Sequence, residues 1–116
     1  MELETLILHI TSKSAWETAQ QSGFYSAPSL QTEGFIHCST PAQAVATAQR
    51  FYAGQSGLVL LVIDPARVQA EIKYEPGTDK PDELFPHIYG TLNLDAVTRV
   101  PDFASDSAGN WVLPPL

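Results

Sequence analysis

The chain has 116 residues, of which 44% are hydrophobic and 16% charged, enough apolar material for one folded domain and too much for a disordered tail. Its 13 acidic and 6 basic residues give a formal charge of −7, a field that repels phosphate backbones and argues against a nucleic-acid surface. No apolar run approaches a membrane span, residues 1–5 carry no basic leader, and the lone Cys38 has no internal disulfide partner, so a cytoplasmic protein is expected.

In chain order, residues 6–11 alternate as a first strand, with Leu6, Leu8 and Ile10 on one face and Ile7, His9 and Thr11 on the other. Ser14 and Glu17 have capping-box spacing, so a helix is expected there, anchored by Trp16 and stopped at Gly23. Residues 24–33 read as an irregular connection holding at most a short strand. A strand follows over residues 35–39. Thr40, Pro41 and Gln43 then predict a second helix running to about Tyr52 and ending at Gly54. Residues 58–64 form an almost wholly apolar run, as expected for a central strand covered on both faces. After Pro65 come one helical turn, a short strand over 72–75, and a solvated loop over 76–83 rich in proline and acid. The last strands are expected at 87–92 and 98–101, with 104–110 a polar linker and 111–116 a tail. The pattern is α+β, with two main helices packed on a curved, mainly antiparallel sheet.

The three histidines stand in one grammar: Leu8-His9-Ile10-Thr11, Ile36-His37-Cys38-Ser39 and Pro86-His87-Ile88-Tyr89. On a strand, each histidine shares a face with the hydroxyl two residues on, so adjacent strands would make one polar wall. His37 adds a position just before a helix start, where free amides favour anions. Cys38 points to the opposite face from His37 and is expected to be an inert buried thiol. Glu75 is the natural carboxylate of a cleft. Phe35 and Tyr25 suit ring stacking, Tyr89 suits a ligand hydroxyl, and Arg50 and Arg99 are among the few cations available for phosphate. Three imidazoles could also hold zinc with water in a fourth place, although the short ligand spacings of most zinc sites are missing.

The phrase Gly34-Phe35-Ile36-His37-Cys38-Ser39-Thr40, followed by Gln43 and by Arg50-Phe51-Tyr52, resembles the signature of the domain of unknown function 952 family of small bacterial proteins. So do Phe85-Pro86-His87-Ile88-Tyr89-Gly90 and Leu94-Asp95-Ala96-Val97, and the similarity extends over residues 6–103. Members of that family look like the ADP-ribosylation fold, whose split sheet holds NAD. The resemblance implies a cleft for NAD or ADP-ribose as ligand, with no tightly bound cofactor. His9 and Thr11 would hold a ribose, His37 and Ser39 would contact the pyrophosphate or nicotinamide ribose, His87 with Glu75 would flank the reactive sugar carbon, and Phe35 and Tyr89 would line the ligand; His37, His87 and Glu75 are the catalytic candidates. His87 takes the place where that fold carries a glutamate, and Ile10 replaces a common glycine. A neutral imidazole offsets developing positive charge poorly, so Glu75 is the candidate to supply the missing carboxylate. A metal-dependent hydrolase and a non-catalytic ligand-binding module are the competing expectations.

Overall fold

The apolar run Leu58–Ile63 is β4, every residue of it buried, and the molecule is assembled around it. A computed structural model describes residues 6–77 and 80–116. The expectation about residues 1–5 and the middle of the 76–83 loop, Thr78 and Asp79, lie outside the described residues. The strands are β1 (Ile7–Ser12), β2 (Phe24–Tyr25), β3 (Ile36–His37), β4, β5 (Glu71–Pro76), β6 (Leu84–Tyr89), β7 (Leu92–Asn93), β8 (Val97–Arg99), β9 (Asp102–Ser105) and β10 (Trp111–Val112). The helices are α1 (Lys13–Ser22), α2 (Ser29–Thr32) and α3 (Ala44–Phe51), with 3-10 turns at Pro65–Arg67 and Leu94–Ala96.

The architecture is α+β, and every strand pairing among the described residues is antiparallel. One sheet runs β1-β4-β9-β10, with β8 also on β4; a second runs β3-β6-β5; β2 and β7 form a separate pair. The first two sheets meet at a single bridge between Leu8 and Ser39, where each amide donates to the other's carbonyl at 2.8 and 2.7 Å. The bridge sits between β1 and the chain just past β3, so the two sheets touch there without a continuous ladder.

Burial on both faces of β1 and β4 follows from two packed layers. Ile7, Val59, Leu61 and Ile63 join Ala19 of α1 with Ile36 and Ile88 of the second sheet. Leu8, Ile10, Leu60 and Val62 pack on Ala44 and Ala48 of α3 and on Phe103 and Trp111. Ile36 faces Ile88 and His37 faces His87 in register across β3 and β6. Period-2 alternation therefore sends the isoleucines into the core and both imidazoles to the other face.

Several local expectations shift. Helix α1 is capped by Ser12, whose hydroxyl accepts from the Ala15 amide at 3.1 Å, two residues ahead of the predicted Ser14. It does end at Gly23. Helix α3 begins at Ala44 because residues 41–43 turn first; Gln43 Oε1 still reaches back to accept from the Thr40 amide at 3.0 Å. The connection over 24–33 contains both β2 and the four-residue α2. The expected linker over 104–110 is instead the tip of the β9–β10 hairpin, closed by Asp106, whose Oδ1 accepts from the Ala108 and Asn110 amides. Trp111 is pinned by burial against Phe103, with ring centroids 5.1 Å apart. Among the described residues, no helix is long and apolar enough to cross a membrane.

Candidate active site

His87 lies at the centre of β6, with its Cα partners His37 on β3 and Lys73 on β5. Glu75 sits diagonally across on β5, opposite Phe85, and Glu75 Oε1 accepts from His87 Nδ1 at 2.8 Å and from the Tyr89 hydroxyl at 2.5 Å. These two donors hold the Glu75 carboxyl below the usual carboxylate range, the Tyr89 hydroxyl contributing most, and the same bond pushes the Tyr89 phenol up. With Nδ1 committed to the carboxylate, Nε2 is the ring nitrogen left for another partner. Among the described residues no protein group bonds that Nε2.

The His87 ring is only 4% exposed and lies flat on Phe35, centroids 4.1 Å apart and planes 17° from parallel. Phe35 also meets the His37 ring edge-on at 4.8 Å, and the two imidazoles stand 5.4 Å apart at 75°. His37 is far more open, at 42% exposure, and its Nε2 lies 2.9 Å from Glu33 Oε2. Gly34, at φ 89°, makes the tight turn after α2 that brings Glu33 back over β3, a backbone geometry other residues rarely adopt.

His9 is wired differently. Burial drives its pKa down to about 4, so the ring is neutral. Its Nδ1 donates to the His37 carbonyl at 2.5 Å, and its Nε2 accepts from the Tyr25 hydroxyl at 2.7 Å. Thr11 Oγ1 lies 2.9 Å from the Tyr25 hydroxyl and ends the chain. Tyr25 is itself pushed up to about 12 by burial. The chain joins β1, β2 and β3 with every polar atom answered, because an unanswered one in that position would carry a desolvation penalty.

A cleft of about 420 Å3 opens along the Leu8–Ser39 bridge. Its walls include His9, His37, Ser39 and His87 from the predicted set, with Glu33, Thr47, Arg50, Phe51 and Tyr52. Thr11 lines a shallower neighbouring hollow, which shares His9 and His37 with the cleft. Phe35, Glu75 and Tyr89 stand behind the imidazoles instead of in the wall. Ser39 Oγ is 3.1 Å from Thr47 Oγ1, and Arg50 lies 5.5 Å over the Phe51 ring. Gly77 also borders the cleft, where a Cβ would come within 2.7 Å of the Phe85 ring. Cys38 is buried and its thiol is pushed up, as an inert residue should be. Arg99 pairs with Val62 on β8, away from the cleft lining.

The single polar wall expected from the histidine grammar is therefore divided. His37 and His87 are neighbours in one sheet, while His9 belongs to the other and reaches His37 only through its carbonyl. With both His9 nitrogens committed, the three imidazoles do not converge as ligands, and among the described residues no group of three His, Cys, Asp or Glu is placed to hold a metal ion. Sequence reasoning missed Glu33 and Thr47 entirely. A glutamate four residues ahead of a histidine was the available signal for the first, but the intervening Gly34 turn hides it from a strand or helix pattern.

The family model for the protein of unknown function DUF952 matches residues 10–100. The chain belongs to this family. It is similar to protein CC0527 from Caulobacter crescentus, whose crystal structure superposes with a TM-score of 0.83 at 34% identity, covering 94% of this chain and 95% of that one. A double mutant of the same protein gives 0.82 over the same shares, and its solution structure 0.78 over 91% and 90%. No curated protein matches the chain.

Proposed function

We infer that the cleft binds an ADP-ribose-type nucleotide, free or as NAD, and that bond cleavage or transfer takes place at the ribosyl carbon beside His87. The observation that carries this reading is the His87 ring: buried, fixed by Glu75 through one nitrogen, with the other nitrogen open beside a cleft. An imidazole so oriented accepts a proton from an incoming hydroxyl or water, and the carboxylate behind it stabilises the imidazolium that forms. Glu75 thus delivers its charge through His87, which accounts for a histidine standing where the ADP-ribosylation fold carries a glutamate. Glu75 and Tyr89 are positioning residues in this scheme.

The ligand class rests on complementary features of the wall. Among the described cleft-lining residues Arg50 is the one Lys or Arg, in a protein of net charge −7, and so the natural seat for a diphosphate. Phe51 and Tyr52 offer flat faces to a base, Ser39 and Thr47 offer hydroxyls, and the volume of about 420 Å3 falls in the range of small-molecule sites. The cleft also follows the line where the two sheets meet, the position that the ADP-ribosylation fold gives to NAD. His9 and Thr11, bonded to Tyr25, shape this line without spare groups for a ribose.

Calorimetry and amide chemical-shift mapping with ADP-ribose and NAD test the reading. Saturable shifts confined to residues around His37, Thr47, Tyr52 and His87 are expected. The absence of heat and of shifts at millimolar ligand would remove it.

A further inference from the structure

Both cleft imidazoles are bonded to a carboxylate, and their rings stand side by side, edge to face. His87 Nδ1 is held by Glu75 at 2.8 Å and His37 Nε2 by Glu33 at 2.9 Å, with the rings 5.4 Å apart and Phe35 against both. Each ring keeps one nitrogen, His87 Nε2 and His37 Nδ1, without a protein partner among the described residues. The pair is asymmetric in exposure: His87 is 4% exposed and His37 42%. The buried ring is reached only from the cleft side, whereas the open ring is also in contact with solvent.

Two open imidazole nitrogens side by side on one wall of the cleft, one able to take a proton and the other to give one, suit a bond whose leaving group must be protonated. The glycosidic bond of NAD does not need this, because its pyridinium departs as neutral nicotinamide. An alkoxide does. We propose that the substrate of this site is an O-linked ADP-ribosyl compound, hydrolysed by His87 as base and His37 as acid. This rests on the nucleotide reading above and narrows it to a substrate class.

The step is redox-neutral and consumes one water. Water gives a proton to His87 Nε2 as its oxygen bonds to the ribosyl carbon; the bond from that carbon to the leaving oxygen breaks, and that oxygen takes the proton on His37 Nδ1. The products are ADP-ribose and the free alcohol. His87 then loses a proton to solvent and His37 regains one. Glu33 and Glu75 are positioning residues, each fixing which nitrogen of its histidine faces the substrate.

The full chain is incubated with three probes: ADP-ribose linked to a serine hydroxyl of a short peptide, ADP-ribose linked to 4-nitrophenol, and NAD, with products separated by chromatography. Cleavage of the serine-linked probe in preference to NAD is expected. His37→Gln should cut turnover of the serine-linked probe by about 100-fold or more and of the nitrophenyl probe by roughly tenfold at most, since nitrophenolate leaves with little help. Glu33→Gln should fall between wild type and His37→Gln on the serine-linked probe and serves as the second variant, with circular dichroism confirming that both fold. Wild-type protein that releases nicotinamide from NAD but leaves the serine linkage intact overturns the proposal, as does an equal loss on both O-linked probes in His37→Gln. Calorimetry with ADP-ribose separates the two levels: no binding defeats the nucleotide reading itself, whereas binding without O-linked cleavage defeats this inference alone.

Discussion

His9 and His87 sit in the same sequence grammar, each with a hydroxyl residue two positions on, and the fold uses them in opposite ways. From His9, the chain of bonds runs through Tyr25 to Thr11 and on the other side to the His37 carbonyl, so the ring has no nitrogen left. From His87 it runs to Glu75, which also receives Tyr89, and stops there with Nε2 open at the cleft. The first network is closed and ties one sheet to the other; the second is braced on one side and open on the other. Local sequence does not separate a sealed histidine from an open one. What separates them is the group on the far side of the ring, a phenol that occupies the second nitrogen in one case and a cleft in the other.

The comparison is tested most severely by paired removal. His87→Gln should lower turnover of the ribosyl substrate by about 100- to 10,000-fold, equivalent to roughly 3–5 kcal/mol of barrier, with the fold retained. The corresponding His9→Gln change should act mainly on stability, read as a lower urea midpoint. Loss of activity in His9→Gln at full stability would erase the distinction.

The next largest effect is in pH. His9 has a folded pKa of about 4 against an ordinary 6.5, so between these values the unfolded chain binds more protons than the native one. The stabilisation from a neutral His9 is full above pH 6.5 and is lost as pH falls toward 4, amounting to about 3 kcal/mol over the window. Glu75, whose pKa is lowered by Tyr89 and His87, adds a loss of the same sign at lower pH. Urea titrations at pH 7.5, 5.5 and 4.5 should show the decline, and His9→Gln should flatten its upper part. A wild-type midpoint constant across this range would show that His9 is not held neutral by burial.

Tyr25→Phe removes the hydroxyl that answers His9 Nε2, leaving a buried ring nitrogen unpaired, and should cost about 1–3 kcal/mol in chemical denaturation. Tyr89→Phe should cost much less than Tyr25→Phe, because water replaces the lost donor at this open pair. Its signature is a rise in the Glu75 pKa, measured by carboxyl-carbon NMR. Equal stability losses in the two tyrosine variants would mean that the two networks are closed to the same degree.

Much of the frame was legible in local pattern. The apolar run over residues 58–63, the alternation about His37 and His87, the stop at Gly23 and the docking of a helix near Thr40 all follow from periodicity and capping chemistry. The helix starts shifted because hydroxyl residues cluster there: Ser12 and Ser14 both suit a cap, and only the end of β1 at Ser12 selects between them. The β9–β10 hairpin looks like a linker in sequence because residues 104–110 are polar, although Trp111 beyond them has to be buried somewhere. Of the site, His37 and His87 were visible in the motif. Glu33 was not, since its approach depends on the Gly34 turn, nor was the division of labour between Thr11 and Tyr89.

By itself the sequence determined the class of fold, the strands that carry the imidazoles, and the faces on which they emerge, because strand periodicity is a property of adjacent residues. Only the tertiary structure decided which histidine is sealed and which is open. That choice depends on Tyr25, Glu75, Glu33 and the Leu8–Ser39 bridge, groups brought together across strand pairings whose partners no local pattern specifies. Burial then acts on each ring according to its neighbours: it silences His9 and, through a single carboxylate, aims His87.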